Sequence, residues 1–350
     1  MLASLLAALR ITGWAGTCRG IDPGRPGVPK FGRKLYHLSL PRRQRVVRAP
    51  RLTPRETAAI TRKAGVEPHN LAISGELDHW RQALSTFRSG LRRARFAGIV
   101  LDYDGTMVDT RYRFNPPEPE IAAELARLAK GGACVAVATG RGKSVRHDLQ
   151  CRLPRALWPL VLVGYYNGAE VASLDDEGAP DGSTIAHAPL RSLSKALQRH
   201  PELSANVRQE DRPLQITLQP IRAMPEGRLW ELVQYVIRFT DASDVGVTRS
   251  DHSVDIVAAG VSKLNVVRRL REKIGAAPVL VIGDRGRWPG NDHELLSQPF
   301  ALGVDEISVD PTTCWHLGEP GQRGPTVTLE YLTALNAHDG RAKFEVNSLP

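Results

Sequence analysis

From residue 96 onward, short uninterrupted apolar runs alternate with segments whose apolar residues recur every three or four positions. Runs without polar alternation are typical of strands buried on both faces of a parallel sheet, and the segments between them predict helices covering those faces. The region therefore predicts an α/β domain with a Rossmann-like parallel sheet. Its predicted strands are residues 99–101, 133–138, 160–163, 279–282 and 300–304.

A different rhythm interrupts this pattern between about residues 184 and 257. There the order helix, strand, strand is read twice, with strict alternation from Leu214 to Leu218. This order predicts an antiparallel sheet covered on one face by two helices. We expect this α+β insert to form a cap domain that lies over the strand ends of the core as a lid.

The first 94 residues follow neither pattern. Residues 1–52 are rich in Gly, Pro and Arg, which predicts irregular chain, and their apolar start lacks the basic flank and cleavage site of a signal peptide. Thr53, Pro54 and Glu56 form a helix start, and a second helix carries apolar residues from Leu77 to Leu91. The predicted divisions are an irregular segment (1–52), a helical linker (53–94), a core (95–183 and 258–335), a cap (184–257) and a C-terminal tail (336–350).

The charge of +10 is concentrated at the N-terminus. Residues 1–95 hold 19 of the 47 basic and 5 of the 37 acidic residues, a balance of +14, which leaves −4 for the rest. This basic segment leaves two interpretations open: contact with an upstream domain or partner, or nucleic-acid binding. Sparse aromatic residues and the absence of a nucleic-acid-binding motif disfavour the second.

The four cysteines show no metal-ligand spacing. Free thiols fit a reducing cytosol, and no apolar run approaches the roughly 20 residues of a membrane helix. We therefore expect a cytoplasmic protein that does not bind membranes.

The candidate chemistry lies where predicted strands end. Asp102 and Asp104 follow the first strand, Thr139 the second and Asp284 the fourth, and Lys263 follows the insert. Ligands of open parallel sheets bind outside the carboxyl ends of the strands. Two carboxylates at one strand end indicate a hard divalent ion such as Mg²⁺. Acids, a hydroxyl and a lysine converging on one crevice are typical of phosphoryl transfer.

These residues resemble the four motifs of the haloacid dehalogenase (HAD) superfamily of phosphatases, in order. The first motif is Asp102 to Thr106, the second Thr139-Gly140-Arg141, the third Lys263, and the fourth Gly283-Asp284 with Asn291-Asp292. An α/β cap between the second and third motifs is similar to the branch containing sucrose-phosphate and trehalose-phosphate phosphatases and phosphomannomutases. The fourth motif departs from the usual Gly-Asp-x-x-Asn-Asp by four extra residues, so Asp284 is favoured over Asp292 as a ligand.

The resemblance implies a role for each residue. Asp102 would be the nucleophile that forms an aspartyl-phosphate, and Asp104 the general acid and base. Thr139, Gly140 and Lys263 would bind the phosphoryl oxygens. Mg²⁺ would lie between Asp102, the Asp104 carbonyl and Asp284, with Asn291 and Asp292 as further candidates for the metal and Arg141 as one for substrate contact.

The function expected from the resemblance is a Mg²⁺-dependent phosphomonoesterase acting on a small phosphorylated metabolite, such as a sugar phosphate. A sugar phosphomutase, which shares these motifs, stays open as an alternative. So does a nucleic-acid-binding protein acting through the basic segment.

Overall fold

The computed structural model of the protein describes residues 2–20, 52–181, 187–225, 227–240, 242 and 244–345. The chain divides into two compact units, Met1–Arg48 and Ala49–Pro350. In the first unit, helix α1 spans Leu2–Cys18. The prediction that residues 1–52 are irregular is wrong for this stretch, because its run of Leu and Ala favours a helix and the first proline is Pro23. Residues 21–51 lie outside the described part.

In the second unit, three helices precede the core: α2 (Pro54–Ala64), α3 (Pro68–Ser74) and α4 (Leu77–Arg93). Thr53 caps α2 with the predicted capping box, in which the Thr53 side chain and Glu56 bond each other's backbone N–H groups. The sequence pattern indicated two helices here. The short α3 escaped it because seven residues are too few to show a helical period.

The core is a six-stranded sheet in the order β10-β9-β1-β2-β3-β4. The first five run parallel, and β4 pairs with β3 in the antiparallel direction. All five residues of β1 are buried, as its apolar run predicted. The strands are β1 (Gly98–Asp102), β2 (Cys134–Ala138), β3 (Val161–Tyr165), β4 (Glu170–Ser173), β9 (Val279–Arg285) and β10 (Ala301–Glu306).

Helices connect and cover these strands. They are α5 (Pro119–Lys130), α6 (Lys143–Arg152), α10 (Leu264–Ile274) and α11 (Pro325–Thr333). The last residues depart from the prediction of a C-terminal tail, since β11 (Leu335–His338) and β12 (Arg341–Phe344) form a hairpin. Phe344 is buried, and Phe96 exchanges backbone hydrogen bonds with Ala342, so this hairpin belongs to the core.

The insert has its own four-stranded antiparallel sheet in the order β5-β6-β8-β7. Apolar side chains on one face of that sheet pack under its helices, and polar ones occupy the other face. The α/β fold class with an α+β cap is thereby confirmed. The cap elements are α7 (Ala188–Arg199), α8 (Pro201–Asn206), β5 (Val207–Arg212), β6 (Gln215–Pro220), α9 (Arg228–Arg238), β7 (Val245–Arg249) and β8 (Val254–Ala258).

None of the helices described has the combination of length and apolar character that crossing a membrane requires.

Candidate active site

The predicted site residues meet at the carboxyl ends of β1, β2 and β9. Asp102 is the last residue of β1, and the chain turns sharply after it at Gly105, which has φ +81°. A Cβ at that position would come 2.1 Å from Asp284 Oδ2 at the end of β9. Only glycine permits both this conformation and this close approach.

Lys263 is the central cation of the site. It is 2% exposed, and its Nζ donates hydrogen bonds to Asp102 Oδ1 (2.5 Å) and Asp292 Oδ1 (2.6 Å). The other oxygen of Asp102, Oδ2, accepts a hydrogen bond from the Thr106 hydroxyl at 3.2 Å. The Asp102 carboxylate is therefore oriented by two partners, one of them charged.

Asp292 lies closer to the site than the spacing of the fourth motif suggested. It is fully buried, and its Oδ2 accepts hydrogen bonds from the backbone N–H groups of Asp284 (3.1 Å) and Arg285 (3.3 Å). One ligand oxygen from each of Asp102, Asp284 and Asp292 falls within 4.8 Å of the others. The extra residues of the motif loop outward and bring Asp292 back to the same point.

Asn291 lies beside this group rather than in it. Its backbone N–H donates to the Arg249 carbonyl of the cap at 3.1 Å, and its side chain lines the cavity described below. Its Oδ1 is buried and has no hydrogen-bond partner among the described residues.

Burial and mutual repulsion perturb the three carboxyl groups. Burial, reinforced by the charge of Asp292, raises the pKa of Asp102 to about 7 against the opposing effect of Lys263. Burial and the charges of Asp102 and Asp292 raise the pKa of Asp284 well above its usual range, again against the opposing effect of Lys263. For Asp292, burial acts upward, but the Lys263 ammonium outweighs it and the pKa is lowered.

The donor set fits a divalent cation. When all three carboxylates are ionised, as ligands of a cation are, the single ammonium leaves two negative charges uncompensated, and buried charges are costly unless paired. Carboxylate oxygens are the ligands that Mg²⁺ prefers. Asp102, Asp284 and Asp292 are thus the side chains that would hold it.

Asp104 points away from this group and is partly exposed. Arg141 Nη1 contacts its Oδ1 at 3.3 Å and donates to the Arg113 carbonyl at 2.6 Å. Burial raises the pKa of the Asp104 carboxyl, although Arg141 and Lys263 act in the opposite direction. An acid that retains its proton at higher pH and lies at the mouth of the site is suited to proton transfer.

Thr139 and Gly140 form the turn after β2. Thr139 is fully buried, and its hydroxyl oxygen accepts a hydrogen bond from the Arg141 backbone N–H at 3.0 Å. Because a hydroxyl that accepts one bond still carries its own proton, it can donate to a phosphoryl oxygen. Gly140 presents its carbonyl to the cap, where it accepts from Gln215 Nε2 at 3.3 Å.

The polar face of the cap sheet closes the site from above. Gln215 and Asp255 are buried, and both accept hydrogen bonds from Asn167 Nδ2 of the core, at 3.2 and 3.3 Å. Asp255 is therefore a buried contact between cap and core. The alternation around Leu214 was the signal for Gln215, but alternation alone cannot tell a solvated face from one covered by another domain.

A cavity of about 260 Å³ lies between cap and core. Its lining joins Asp102, Asp104 and Asp284 of the core to side chains of β5, β6 and β8. This volume is just below the range of about 300–1,000 Å³ typical of pockets for drug-sized ligands. It suits a small molecule.

The four extra residues of the fourth motif contact the cap directly. The Arg249 N–H at the end of β7 donates to the Pro289 carbonyl at 2.9 Å. The rings of Trp230 on α9 and Trp288 in the loop meet edge to face, with centroids 5.8 Å apart. Arg285 forms an ion pair with Asp251 of the cap. The loop thus extends the edge strand β7 of the cap sheet and connects it to strand β9, which carries Asp284.

No family model and no curated protein matches this chain. Solved structures match it at low identity. An N-terminally truncated IMP-nucleotidase of Plasmodium falciparum is 12% identical, with 74% of each chain covered and a TM-score of 0.47. The C-terminal domain of the trehalose-6-phosphate phosphatase of C. albicans is 17% identical over 72% of this chain and 94% of its own, with a TM-score of 0.46.

The trehalose-6-phosphate phosphatase of Aspergillus fumigatus is also 17% identical, over 73% of this chain and 96% of its own, with a TM-score of 0.45. Identities and TM-scores this low say nothing about the activity of this chain, which depends on the chemistry of its own residues.

Proposed function

We propose that this chain is a HAD-type, Mg²⁺-dependent phosphomonoesterase that hydrolyses a small phosphorylated metabolite through an aspartyl-phosphate on Asp102. The observation that supports it best is the buried group of Asp102, Lys263, Asp284 and Asp292 at one end of the cavity between cap and core. A structural ion pair would need one acid for one lysine. Three acids around one lysine are suited to a cation and an anionic substrate.

Asp102 attacks phosphorus. Its carboxylate is held by Lys263 and Thr106 on separate oxygens, so the side chain is fixed before the substrate arrives. The phosphoryl group passes from the leaving oxygen to Asp102 and then to water, which splits one difficult displacement into two easier ones. Lys263 and the Thr139 hydroxyl compensate the charge on the phosphoryl oxygens.

Asp104 transfers the proton in both halves of the reaction. Protonated, it donates to the leaving oxygen of the substrate; deprotonated, it accepts a proton from the attacking water. Its contact with Arg141 positions the side chain beside the cavity.

The Mg²⁺ ion would be held by Asp102, Asp284 and Asp292, with the Asp104 carbonyl as a further donor. When bound, it supplies positive charge that reduces the repulsion between the carboxylates and an anionic phosphate.

A sugar phosphate is the substrate class we favour, because the cap side of the cavity is lined by hydroxyl, amide and carboxylate groups that can bond to sugar hydroxyls. Thr217, Gln219, Ser253 and Asp255 all line it.

The test is hydrolysis of p-nitrophenyl phosphate by the purified chain. Activity with Mg²⁺ should disappear with excess chelator and return when Mg²⁺ is restored. Asp102→Asn should abolish turnover while leaving the circular dichroism spectrum unchanged, since the amide is nearly isosteric but a poor nucleophile. Asp78→Asn is the control, because the side chain of Asp78 is 90% exposed. Full activity of Asp102→Asn, or activity in excess chelator, would refute the proposal.

A further inference from the structure

Arginines are prominent in the wall of the cavity. Five of its lining residues are arginines, contributed by both the core and the cap. Three of them have a carboxylate of this chain as a partner: Arg141 pairs with Asp104 (3.3 Å), Arg212 with Glu210 (3.0 Å) and Arg285 with Glu306 (2.8 Å).

The other two, Arg113 and Arg208, are different. Among the described residues, no carboxylate oxygen lies within 4.0 Å of either guanidinium group. Arg113 lies in the core loop after β1 and stacks over the Phe114 ring at 4.7 Å. Arg208 is on strand β5 of the cap. Two unpaired cations thus face one small cavity from its two walls.

Each carboxylate that lines the same cavity has a partner other than Arg113 and Arg208. Besides the pairs above, Asp251 pairs with Arg285, and Asp255 accepts from Asn167 and is held more protonated than usual because burial raises its pKa. Asp102 and Asp284 belong to the group around Lys263. With the proposed Mg²⁺ compensating the two excess negative charges of that group, the charge left without a partner in the cavity is positive.

The position of Arg208 places this charge away from the reacting phosphorus. Gln215 of strand β6 contacts Gly140 of the core. Arg208 of strand β5 lies opposite Gln219 in the sheet register, and Gln219 is four residues farther along β6 than Gln215. At about 3.3 Å per residue, this is about 13 Å along the strand. Arg208 is thus at the end of the cavity where a leaving group would lie.

We infer that the substrate carries a second anionic group, a carboxylate or a second phosphate, on its leaving group, and that Arg113 and Arg208 bind it. The inference rests on the proposed function and narrows its substrate class. A guanidinium group binds carboxylate and phosphate oxygens through two parallel hydrogen bonds, and these are stronger than bonds to neutral hydroxyls.

The first experiment compares substrates on the wild-type chain with Mg²⁺. Glucose 6-phosphate offers a neutral leaving group, 6-phosphogluconate a carboxylate and fructose 1,6-bisphosphate a second phosphate; p-nitrophenyl phosphate is the reference. We expect kcat/KM to be at least tenfold higher for one of the two doubly anionic compounds than for glucose 6-phosphate. Which of them is preferred identifies the second anion.

The second experiment removes the charges singly. Arg208→Gln and Arg113→Gln should each reduce that preference by about 10- to 100-fold, the loss of one charge-assisted interaction. Arg199→Gln, on helix α7 and outside the residues that line the cavity, should keep it. Calorimetry on the inactive Asp102→Asn chain measures binding independently of turnover. It should show the same preference for the doubly anionic compound over glucose 6-phosphate.

The two hypotheses fail in different ways. If p-nitrophenyl phosphate is hydrolysed but glucose 6-phosphate is used as well as the doubly anionic compounds, the second-anion site is wrong and the phosphatase stands. Equal losses on all substrates in both arginine variants also contradict the site. If nothing is hydrolysed, the proposed function is wrong and the inference fails with it.

Discussion

Gly105 shows how closely single residues constrain the site. A side chain there would meet Asp284 at 2.1 Å, and the backbone is in the left-handed region. Gly65, the C-cap of α2, has a similar φ of +68° but nothing within 4 Å of its would-be Cβ. Substitutions at the two glycines therefore distinguish the effect of backbone strain from the effect of displacing Asp284.

We predict that Gly105→Ala weakens Mg²⁺ binding at least tenfold, because Asp284 must move. Gly65→Ala should lose only about 1–2 kcal/mol of stability, the cost of a left-handed non-glycine residue, and keep its Mg²⁺ affinity. Titration of activity and calorimetry with Mg²⁺ measure both. Unchanged affinity in Gly105→Ala would show that the contact with Asp284 does not position the ligand.

Asp104 can be distinguished from its neighbour Asp148, since Arg141 contacts both at 3.3 Å. Asp104→Asn should lower kcat by about 10²–10⁴-fold, the usual contribution of general acid–base catalysis. Asp148→Asn removes a partner of Arg141 without removing the proton donor, so its loss should be much smaller. Similar losses in both variants would indicate that Asp104 acts only by holding Arg141.

At the scale of elements, the loop between Asp284 and Asn291 connects the candidate active site to the cap. Its backbone pairs with Arg249 at the edge strand β7, and Trp288 packs on Trp230. Deleting residues 286–289 leaves two residues between the Gly-Asp and Asn-Asp pairs, as in the usual form of the fourth motif, and removes this pairing.

We expect that deletion to leave the folded core intact and to speed amide exchange at β7, because the Arg249 N–H loses its acceptor. Strand β5, at the opposite edge of the same sheet, is the internal control and should exchange as before. Hydrogen-exchange mass spectrometry on the two strands measures the difference. Exchange at β7 equal to that of the wild type would mean that the loop does not secure the cap.

Local patterns predicted more of the elements than of the contacts between them. The apolar run of β1 and the αββαββ order of the cap were readable, since burial on both faces and strand alternation are local signals. The place of Asp292 was not, because it depends on a loop that folds against the cap. Nor was the burial of Phe344, whose ring contacts that of Phe96, because Phe96 and its backbone partner Ala342 are far apart in the chain.

For the second unit as a whole, His316 links helix α2 to the core. Its ring is 1% exposed, and its Nδ1 lies 3.0 Å from Arg62 Nη1 and accepts from the Gly318 N–H at 3.2 Å. Burial and the Arg62 charge lower the pKa of His316 to about 3. The folded chain therefore keeps this ring neutral where the unfolded chain, near pKa 6.5, protonates it.

Since the unfolded state binds the extra proton, stability falls as the pH drops below about 6.5 and continues to fall until about 3. Between pH 7 and 5, protonation of His316 in the unfolded chain lowers the free energy of unfolding by about 2 kcal/mol. His316→Gln cannot titrate, so its unfolding free energy should fall about 2 kcal/mol less over that interval. Urea denaturation at both pH values gives this difference even if the variant is less stable overall. Parallel pH dependences would contradict the assignment.

The central claim is that Asp102 becomes covalently phosphorylated, and capture of the phosphoenzyme tests it most directly. The chain is mixed with ³²P-labelled substrate, quenched rapidly in acid, reduced with borohydride and analysed by peptide mass spectrometry. The account predicts acid-stable ³²P on the wild-type chain, which borohydride releases as phosphate while it reduces Asp102 to homoserine, and neither the label nor homoserine in Asp102→Asn. Turnover without any ³²P-labelled chain, or homoserine at another position, would contradict it.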